Sequence, residues 1–425
     1  MDAAILSKLL SPEGWALLGA LPPYDERLAM RTATRLREGG IAPDLAAAAL
    51  TQSRLRAKAR AKFGDFADGM LFTPDGLEQA TRLLVAAVHA RRYRDAGTTL
   101  VADLTCGVGA DAMTFAATGL RVLATDVDEV TAAIAAVNLR HFPEAEVRHT
   151  DGLTLDLLAE GVDGVYADPA RRTRAGSRIF DPRAYAPPLD AVWALRDVVP
   201  AVGIKVGPGI PHEGLPADAE TQWVSVDGDV VEAGLWFGPL APAGPGRSAL
   251  VLRTVTDAEG KEHTLSRTVR EDPATVVVPD VGAVGQYLYE PDGAIIRAGL
   301  VAHVAAELGG RLVDPTIAYI TTDTPGALPP TDPAALHSGD GGAEAPVATG
   351  YRVLDTMPFG LKRLKAYLRE RNVGRITIKK RGTAVVPEQL RSQLVLTGGE
   401  EATIILTRVA GSQQILVVEP LGGRG

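Results

Sequence analysis

The chain has 425 residues, which is too long for a single hydrophobic core and predicts more than one domain. Its 46% hydrophobic and 23% charged residues are typical of globular proteins and argue against a disordered or fibrous chain. The single cysteine, Cys106, excludes a disulfide framework, a cysteine-rich zinc site and a cysteine-ligated iron–sulfur cluster, and we expect no bound metal.

The sequence gives no sign of a membrane or export segment. The beginning of the chain, Met1-Asp-Ala-Ala-Ile-Leu-Ser-Lys8, lacks the basic-then-apolar order of a signal peptide. No stretch approaches 18 uncharged apolar residues, so the sequence predicts a cytoplasmic protein with no membrane contact.

Charge is unevenly distributed along the chain. The formal net charge is −8, which by itself argues weakly against a nucleic-acid partner. From Pro346 to the end, however, 13 Lys and Arg stand against 6 Asp and Glu, a net charge of +7. This concentration favours a terminal module for a polyanion, the alternative being a solvated basic surface without a ligand.

The first 95 residues have the composition of helices. Residues 44–62 are rich in Ala, Leu, Arg and Lys, which are good helix formers. Leu77, Ala80, Leu84 and Val88 recur at three- and four-residue steps, which predicts one helix over 74–93. That helix would begin at Pro74 with Thr73 as its N-cap.

From residue 98 short apolar runs alternate with helical patterns. This alternation predicts a parallel sheet with helices on both faces. An antiparallel hairpin, turning at Asp227-Gly-Asp229, should close the sheet. The predicted strands are Thr99–Leu104, Arg121–Thr125, Glu146–His149, Gly164–Ala167, Gly203–Val206, Trp223–Val226 and Val230–Phe237.

The segment from Pro239 to Gly246 is rich in proline and glycine and marks a boundary. Beyond it we predict a small α+β unit with strands 250–254, 275–278 and 317–321 and a helix over 295–307. The resulting domains are 1–95 helical, 96–240 the parallel-sheet domain, 247–322 the α+β unit, 323–349 a flexible linker and 350–425 a compact basic domain.

The basic domain alternates helices and strands. Leu361, Leu364 and Leu368 form one apolar stripe of a helix whose other faces are mostly basic, and residues 375–381 alternate as a strand. A second helix over 387–394 and strands over 403–408 and 414–419 should follow. The residues predicted to contact polyanion phosphates are Lys365, Arg369, Lys379 and Arg381.

A glycine-rich turn follows the first predicted strand of the sheet, in Asp103-Leu-Thr-Cys-Gly-Val-Gly-Ala-Asp111. Gly107 and Gly109 leave room for a ligand against the backbone, and Asp126 ends the second strand 17 residues past Gly109. A carboxylate there can accept both hydroxyls of a ribose. Dinucleotide enzymes use the same arrangement, so Asp126 does not name the cofactor, but the third glycine for pyrophosphate is missing.

Two further acidic residues follow strands of the same sheet. Asp151 comes after the third strand, and Asp168-Pro169 ends the fourth. Ligands of open α/β folds bind at this edge of the sheet. Cys106 is interpreted as a small packing residue of the turn rather than a reactive thiol.

These motifs, in this order, resemble those of class I S-adenosylmethionine-dependent methyltransferases. The whole chain after about residue 50 is similar to a bacterial group of RNA methyltransferases that end in a THUMP-like domain. The segments that carry the resemblance are Leu71-Phe-Thr-Pro-Asp-Gly-Leu-Glu-Gln-Ala-Thr81, Asp168-Pro-Ala-Arg-Arg172, Tyr287-Leu-Tyr-Glu-Pro-Asp-Gly-Ala-Ile-Ile-Arg297 and Ile378-Lys-Lys-Arg-Gly382.

The resemblance implies an α/β fold: a Rossmann-like methyltransferase core, an N-terminal helical region, a small ferredoxin-like unit and a C-terminal α+β THUMP-like domain. It also implies S-adenosylmethionine as cofactor, with Asp103 near the methionine amino group, Asp126 on the ribose and Asp151 near the adenine. The full set that it implies for the cofactor is Thr73, Asp103, Thr105, Gly107, Gly109, Asp111, Asp126, Val127, Asp151 and Gly152. For Asp103 and Asp111, capping of a helix or turn is the alternative.

The resemblance implies that Asp168 and Pro169 orient the amine that receives the methyl group. Amino-methyltransferases carry Asn/Asp-Pro-Pro followed by an aromatic residue there, whereas this chain has Ala170 and Arg171. Stacking on a base could instead come from Arg171 or from the aromatic residues Phe72, Phe180 and Tyr185. Arg171 and Arg172 could also neutralise a phosphate or form structural ion pairs.

Thr73-Pro74 is similar to the Thr-Pro-Glu segment of the cap-guanine N2 methyltransferases, which folds over the cofactor. In this chain Asp75 replaces the glutamate, and simple N-capping by Thr73 is the alternative.

The first functional hypothesis is a methyltransferase acting on a nitrogen of an RNA base, with RNA delivered by the basic C-terminal domain. The second is an N-methyltransferase for a protein amide or a small amine, with a structural tail. The third is a non-catalytic RNA-binding protein with a vestigial cofactor site. A dehydrogenase is disfavoured by the missing third glycine.

Overall fold

The fold was determined as a computed structural model, which describes residues 2–170, 185–271, 278–327 and 343–421. The chain forms two compact units. The first contains Met1–Val206 and Leu235–Pro245, and the second contains Gly207–Gly234 and Gly246–Gly425. Among the described residues, no helix combines the length and apolarity needed to cross a membrane.

The first unit begins with six helices. Asp2 and Ser11 cap the first two through their side chains, and α4 buries one face through Ala49, Leu55 and Ala59. The helices are α1 (Ala3–Leu10), α2 (Pro12–Ala20), α3 (Ala29–Glu38), α4 (Pro43–Phe63), α5 (Pro74–Gln79) and α6 (Leu83–Asp95).

The prediction of one continuous helix over 74–93 is wrong, because the chain leaves the helix between α5 and α6. Ala80 and Arg82 adopt extended backbone, with ψ of 136° and 138°. The break frees three carbonyls that accept hydrogen bonds from Lys62, and it turns the Thr81 hydroxyl to Asp111. The predicted start is confirmed: Thr73 accepts a hydrogen bond from the Gly76 N–H at 3.0 Å.

A parallel sheet with the strand order β3-β2-β1-β4-β5 follows, which confirms the predicted alternation. The central strands are buried on both faces, as expected for a sheet covered by helices. The strands are β1 (Leu100–Asp103), β2 (Arg121–Asp126), β3 (Ala145–His149), β4 (Gly164–Ala167) and β5 (Ala201–Val206), and the helices between them are α7 (Ala110–Ala117), α8 (Glu129–Asn138) and α9 (Leu189–Trp193).

β6 (Glu220–Val226) lies beside β7 (Asp229–Trp236), which confirms the predicted hairpin. The prediction that this hairpin closes the sheet is wrong, because two further strands continue the sheet beyond β6. Asp227 and Gly228 have φ of 52° and 94°, the two positive values of a tight hairpin turn. β8 (Gly246–Thr256) pairs in parallel with β6 and antiparallel with β9 (Glu262–Arg270). The predicted strand 275–278 falls almost entirely outside the described residues.

The rest of the second unit is a seven-stranded sheet in the order β11-β12-β10-β13-β16-β15-β14. The predicted helix 295–307 is wrong as one element, since Gly299 takes φ 74° and divides it. The strands are β10 (Tyr287–Pro291), β11 (Arg311–Asp314), β12 (Ile317–Thr322), β13 (Ala348–Pro358), β14 (Val373–Arg381), β15 (Glu400–Val409) and β16 (Ser412–Pro420), and the helices are α10 (Gly293–Ala298), α11 (Val301–Glu307), α12 (Leu361–Glu370) and α13 (Pro387–Leu394).

This sheet buries both faces of β15, the strand next to its edge strand β14. Ile404 and Leu406 pack with Leu364 of α12 and Leu390 of α13, and Ile405 belongs to a second cluster on the opposite face. Most of the predicted linker 323–349 lies outside the described residues.

Candidate functional site

A cavity of about 720 Å³ opens where the strands of the parallel sheet end, and its described walls come from the first unit. Its volume lies in the range of small-molecule sites. The loops after β1, β2, β3 and β4 supply one side, and the segment from Thr73 to Thr81 supplies another. The predicted residues that line it are Thr73, Asp103, Thr105, Gly107, Asp111, Asp126, Val127, Asp151 and Asp168.

The glycine-rich turn forms the floor of the cavity. Gly107 has φ 55° and Gly109 has φ 85°, and a residue with a Cβ rarely adopts either conformation. Gly109 is the N-cap of α7 and does not itself line the cavity, so its role is to shape the turn. Cys106 is buried, and burial raises the pKa of its thiol well above the usual value, which leaves it unreactive.

Asp126 closes the cavity at the end of β2. One of its carboxylate oxygens accepts from the Gly107 N–H at 3.2 Å and the other from the Asp128 N–H at 2.9 Å. Each oxygen keeps a further lone pair, so the carboxylate can still accept two hydroxyl groups of a ligand. The exposed side chain of Val127 lines the cavity beside it and offers an apolar surface to a flat ring.

Asp103 is buried at the centre of the site. Its carboxylate accepts one long hydrogen bond, 3.3 Å from the Thr105 N–H, and no other from the described residues. Burial raises the pKa of Asp103 well above its usual value, and the nearby charge of Asp111 raises it further. A cationic ligand in the cavity would compensate this carboxylate.

Asp111 lies at the start of α7 with both carboxylate oxygens already engaged. Thr81 donates to one oxygen at 2.7 Å, and His89 Nδ1 lies 2.8 Å from the other. Burial raises the pKa of Asp111, but the bonds from His89 and Thr81 and the charges of His89 and Lys205 outweigh it and keep the pKa below its usual value. Asp111 therefore joins α7 to α6 as well as lining the cavity.

Asp168 stands at the end of β4, and a buried lysine neutralises it. Lys205 Nζ lies 2.6 Å from Asp168 Oδ2, and Lys205 is only 5% exposed. The same ammonium donates to the Thr81 hydroxyl at 3.0 Å. The Asp168 N–H donates to Thr105 Oγ1 at 2.7 Å, so the loop after β1 fixes the end of β4.

Two other predicted residues do not line the cavity. Gly152 is buried, and a Cβ there would come within 2.6 Å of Thr125 Oγ1, so packing requires the glycine. Pro169 is buried behind the cavity wall. Arg171 and Arg172, together with Phe180, lie outside the described residues.

The structure places one of the proposed stacking residues at the cavity. Tyr185 lines it beside Ala170, because the backbones of Ala170 and Ala186 exchange two hydrogen bonds of 2.8 and 3.2 Å. Phe72 is completely buried and packs against Phe63 at a ring-centroid distance of 5.4 Å. Phe72 thus belongs to the core, whereas Tyr185, like Tyr166, lines the cavity.

Sequence reasoning missed Lys205, Thr81 and His89. Lys205 had a signal, since it is the single charge in the strand Ala201–Val206, and a lysine in a doubly buried strand needs a partner. Thr81 and His89 had none, because their contacts with Asp111 depend on the break between α5 and α6.

The four residues predicted to bind a polyanion differ in their surroundings. Arg369 is exposed and Lys365 half-buried on α12, and neither makes a salt bridge to a described residue. Lys379 Nζ lies 2.7 Å from Glu290, and Arg381 lies 3.5 Å from the same carboxylate. Glu290 therefore holds both cations of this second pair, and its single charge compensates half of theirs.

Two known families match the chain, one near each end. Residues 348–420 match a family described as THUMP domain-like, which confirms the predicted C-terminal domain type. Residues 2–59 match a family described as a domain of unknown function.

Two curated proteins from two strains of Mycobacterium tuberculosis, both named as uncharacterized S-adenosylmethionine-dependent methyltransferases, are 33% identical to the chain over 397 residues. The matches cover 89% of this chain and 96% of each relative. A crystal structure from Porphyromonas gingivalis, of a protein classed as a methyltransferase, aligns with 93% of this chain and 99% of its own at a TM-score of 0.65 and 20% identity, and supports the Rossmann-like fold. The predicted cofactor class is confirmed, and the chain belongs to this family of S-adenosylmethionine-dependent methyltransferases.

Proposed function

We propose that this enzyme methylates a nitrogen atom of an RNA base. The observation that carries the proposal is the Asp168 carboxylate at the end of β4, held by buried Lys205 at the edge of the cavity. A carboxylate kept ionised by a lysine is a hydrogen-bond acceptor for an amine rather than a strong base. Such an acceptor suits a nucleophile whose N–H groups must be oriented.

The cavity fits a cationic cofactor. S-adenosylmethionine supplies a methyl group on a positively charged sulfonium and also carries an ammonium group. Asp103, which is buried and nearly unpaired, would bind the ammonium, and Asp126 would accept the ribose hydroxyls. Val127 and Asp151 would contact the adenine.

The chain's own residues then position the nucleophile. Asp168 would accept a hydrogen from the amine, Lys205 would fix the carboxylate, and Tyr185 would cover the base. Because the sulfonium is already a strong electrophile, holding the nucleophile in line supplies most of the remaining acceleration.

Two observations support RNA as the substrate. The first is the match of residues 348–420 to a THUMP-like family. The second is the net charge of +7 in the segment from Pro346 onwards. The backbone of nucleic acids attracts such a segment with an affinity that falls as salt rises.

The test uses RNA isolated from a strain in which the gene is deleted. The purified enzyme with S-adenosylmethionine should add methyl groups to that RNA, and nucleoside mass spectrometry should identify one modified base. Asp168→Ala should abolish transfer while leaving cofactor affinity within a few-fold of wild type, because the residue acts on the nucleophile. Parental turnover by Asp168→Ala would exclude this role.

Since Asp168→Ala removes the carboxylate that pairs with buried Lys205, the matched control is Asp168→Ala/Lys205→Met. The double variant should recover stability but not activity. If it recovers activity as well, the loss in the single variant was a folding effect.

A small or protein-bound amine is the second candidate substrate. Seven aspartates line the cavity and none of its described lining residues is Lys or Arg, which favours a cationic substrate over an anionic one. Methylation of protein or metabolite fractions, with none of RNA, would select this alternative.

A further inference from the structure

A second basic surface lies in the first unit, on the hairpin formed by α3 and α4. Residues 29–63 contain eight Lys and Arg against two Asp and Glu, a net charge of +6 in 35 residues. The C-terminal segment needs 80 residues for its net charge of +7. The charge density of the hairpin is therefore about twice as high.

Five cations of this hairpin are exposed and make no hydrogen bond or salt bridge with the part of the chain that the structure describes. They are Arg31, Arg35, Arg37, Arg54 and Lys58. Arg31 and Arg35 are one turn apart on α3, as are Arg54 and Lys58 on α4, so each pair extends along one face of its helix. We refer to these five residues as the hairpin cations.

Neighbouring cations of the same region are compensated. Arg27 pairs with Asp25 at 2.9 Å, and Arg60 pairs with Asp65 at 3.1 Å and with Asp68. Carboxylates of this region therefore neutralise Arg27 and Arg60. The hairpin cations have no carboxylate partner among the residues that the structure describes, as expected if their partner is another molecule.

Helix α3 contributes little to the core. It has no buried residue, which is unusual for a helix of ten residues with a strongly sided charge distribution. Its exposed large apolar side chain is Met30, at 79%, and Leu28 precedes the helix at 46%. Two apolar side chains provide too small a face for membrane insertion. Any attraction of this surface to a partner molecule would therefore come from its positive charge.

Helix α4 connects the hairpin to the cavity wall. Gln52 exchanges hydrogen bonds of 2.7 and 3.0 Å with the backbone of Phe72, and Arg56 donates to the Met70 carbonyl at 2.8 Å. Lys62 donates to three carbonyls at the end of α5. The segment held in this way, Thr73–Thr81, lines the cavity at most of its positions.

We propose that the hairpin cations bind the phosphates of the RNA substrate and guide it towards the cavity. This inference rests on the proposed function and adds a docking surface within the catalytic unit itself. RNA fits the surface because its phosphates can pair with exposed cations that have no carboxylate partner among the described residues.

The experiment compares full-length wild type with Arg31→Gln/Arg35→Gln/Arg54→Gln/Lys58→Gln in filter binding to total tRNA between low and moderate salt. The variant should bind at least ten-fold more weakly at low salt. Its log–log salt slope should fall by about 0.7 for each phosphate that the variant no longer neutralises. The matched control, Arg27→Gln/Arg60→Gln, removes two cations that are already paired and should change the slope little.

Calorimetry with S-adenosylmethionine should give the same affinity for all three proteins, which shows that the fold is intact. If wild type and the four-residue variant bind tRNA equally, the docking surface is refuted while the RNA assignment stands. If wild type binds no tRNA and methylates a protein or a small amine instead, both are refuted. Binding to phosphatidylserine vesicles in preference to tRNA would assign the hairpin to a membrane and also overturn the inference.

Discussion

Asp103 combines deep burial with a carboxylate that pairs with no cation among the described residues. Burial and the charge of Asp111 raise its pKa, so the ionised form destabilises the ligand-free protein at neutral pH. We expect Asp103→Asn to raise the unfolding midpoint by about 2–4 °C for each kcal/mol of burial cost relieved, and to weaken cofactor binding at least ten-fold. Scanning fluorimetry and calorimetry would measure the two effects.

The sign of the pH dependence follows from the raised pKa. Between the unfolded value, about 3.9, and the higher folded value, the folded state binds more protons than the unfolded state. The contribution of Asp103 to stability is therefore present at low pH and is lost as the pH rises through the folded pKa. The advantage of Asp103→Asn should shrink as the pH is lowered, and a variant less stable than wild type at pH 7 would contradict the argument.

Asp126 is the proposed partner of the ribose. Asp126→Ala should weaken S-adenosylmethionine binding at least ten-fold, since charge-assisted bonds contribute about 1.5–3 kcal/mol each. Asp156→Ala, whose carboxylate caps Ala159 outside the cavity, is the control and should bind normally. Unchanged affinity in Asp126→Ala would remove it from the cofactor site.

Three of the predicted site residues that line the cavity lie at the ends of strands. Asp103, Asp126 and Asp168 each follow an apolar run, so their position at one edge of a parallel sheet could be inferred without coordinates. Lys205 is 37 residues from Asp168, and no local pattern shows which carboxylate it meets.

At the scale of elements, the break between α5 and α6 shows why periodicity alone could not predict where these helices end. The apolar spacing continues through Ala80 and Leu84, so the sequence pattern has no interruption there. Three carbonyls that a continuous helix would use internally are instead held by Lys62 at 2.7–2.8 Å. A tertiary contact therefore replaces a helical turn, which propensity could not indicate.

Lys62 makes this contact sensitive to pH. Burial, together with the charges of Lys205 and Arg82, lowers the pKa of Lys62 to about 8. Because the unfolded value is near 10.4, the unfolded state binds more protons between pH 8 and 10.4, and the stability contributed by this group rises with pH across that window.

Lys62→Met tests this contribution. The variant should unfold at a lower temperature at pH 7, because the carbonyls of α5 lose their donor. The midpoint of wild type relative to the variant should increase between pH 8 and 10. Lys58→Met on the exposed face of α4 is the control, and parallel pH curves for wild type and Lys62→Met would refute the assignment.

At the scale of the whole molecule, the strand order of the seven-stranded sheet could not be predicted from the sequence. Its order places β13 between β10 and β16, so segments before and after residues 328–342 share one sheet. Pairing between segments about 60 residues apart leaves no local signal, although the individual strands β14, β15 and β16 were predictable from alternation. Cutting the chain before β13 would expose β10, so substitutions are a better test of the C-terminal domain than truncation.

Two pairs of C-terminal cations should behave differently. Lys365→Gln/Arg369→Gln changes side chains of α12 that have no carboxylate partner among the described residues. If both contact phosphates, the salt slope of tRNA binding should fall by about 1.4 with no loss of stability.

Lys379→Gln/Arg381→Gln should instead lower the slope by less than the first pair does and lower the unfolding midpoint. Glu290 would lose both cations while remaining largely buried. Leaving a charged group unsatisfied in this way lowers the free energy of unfolding by on the order of 1–3 kcal/mol. The triple variant that adds Glu290→Gln should restore stability, because no unpaired charge remains. A fall in slope for Lys379→Gln/Arg381→Gln without destabilisation would place these two residues on RNA and show that Glu290 does not hold them in solution.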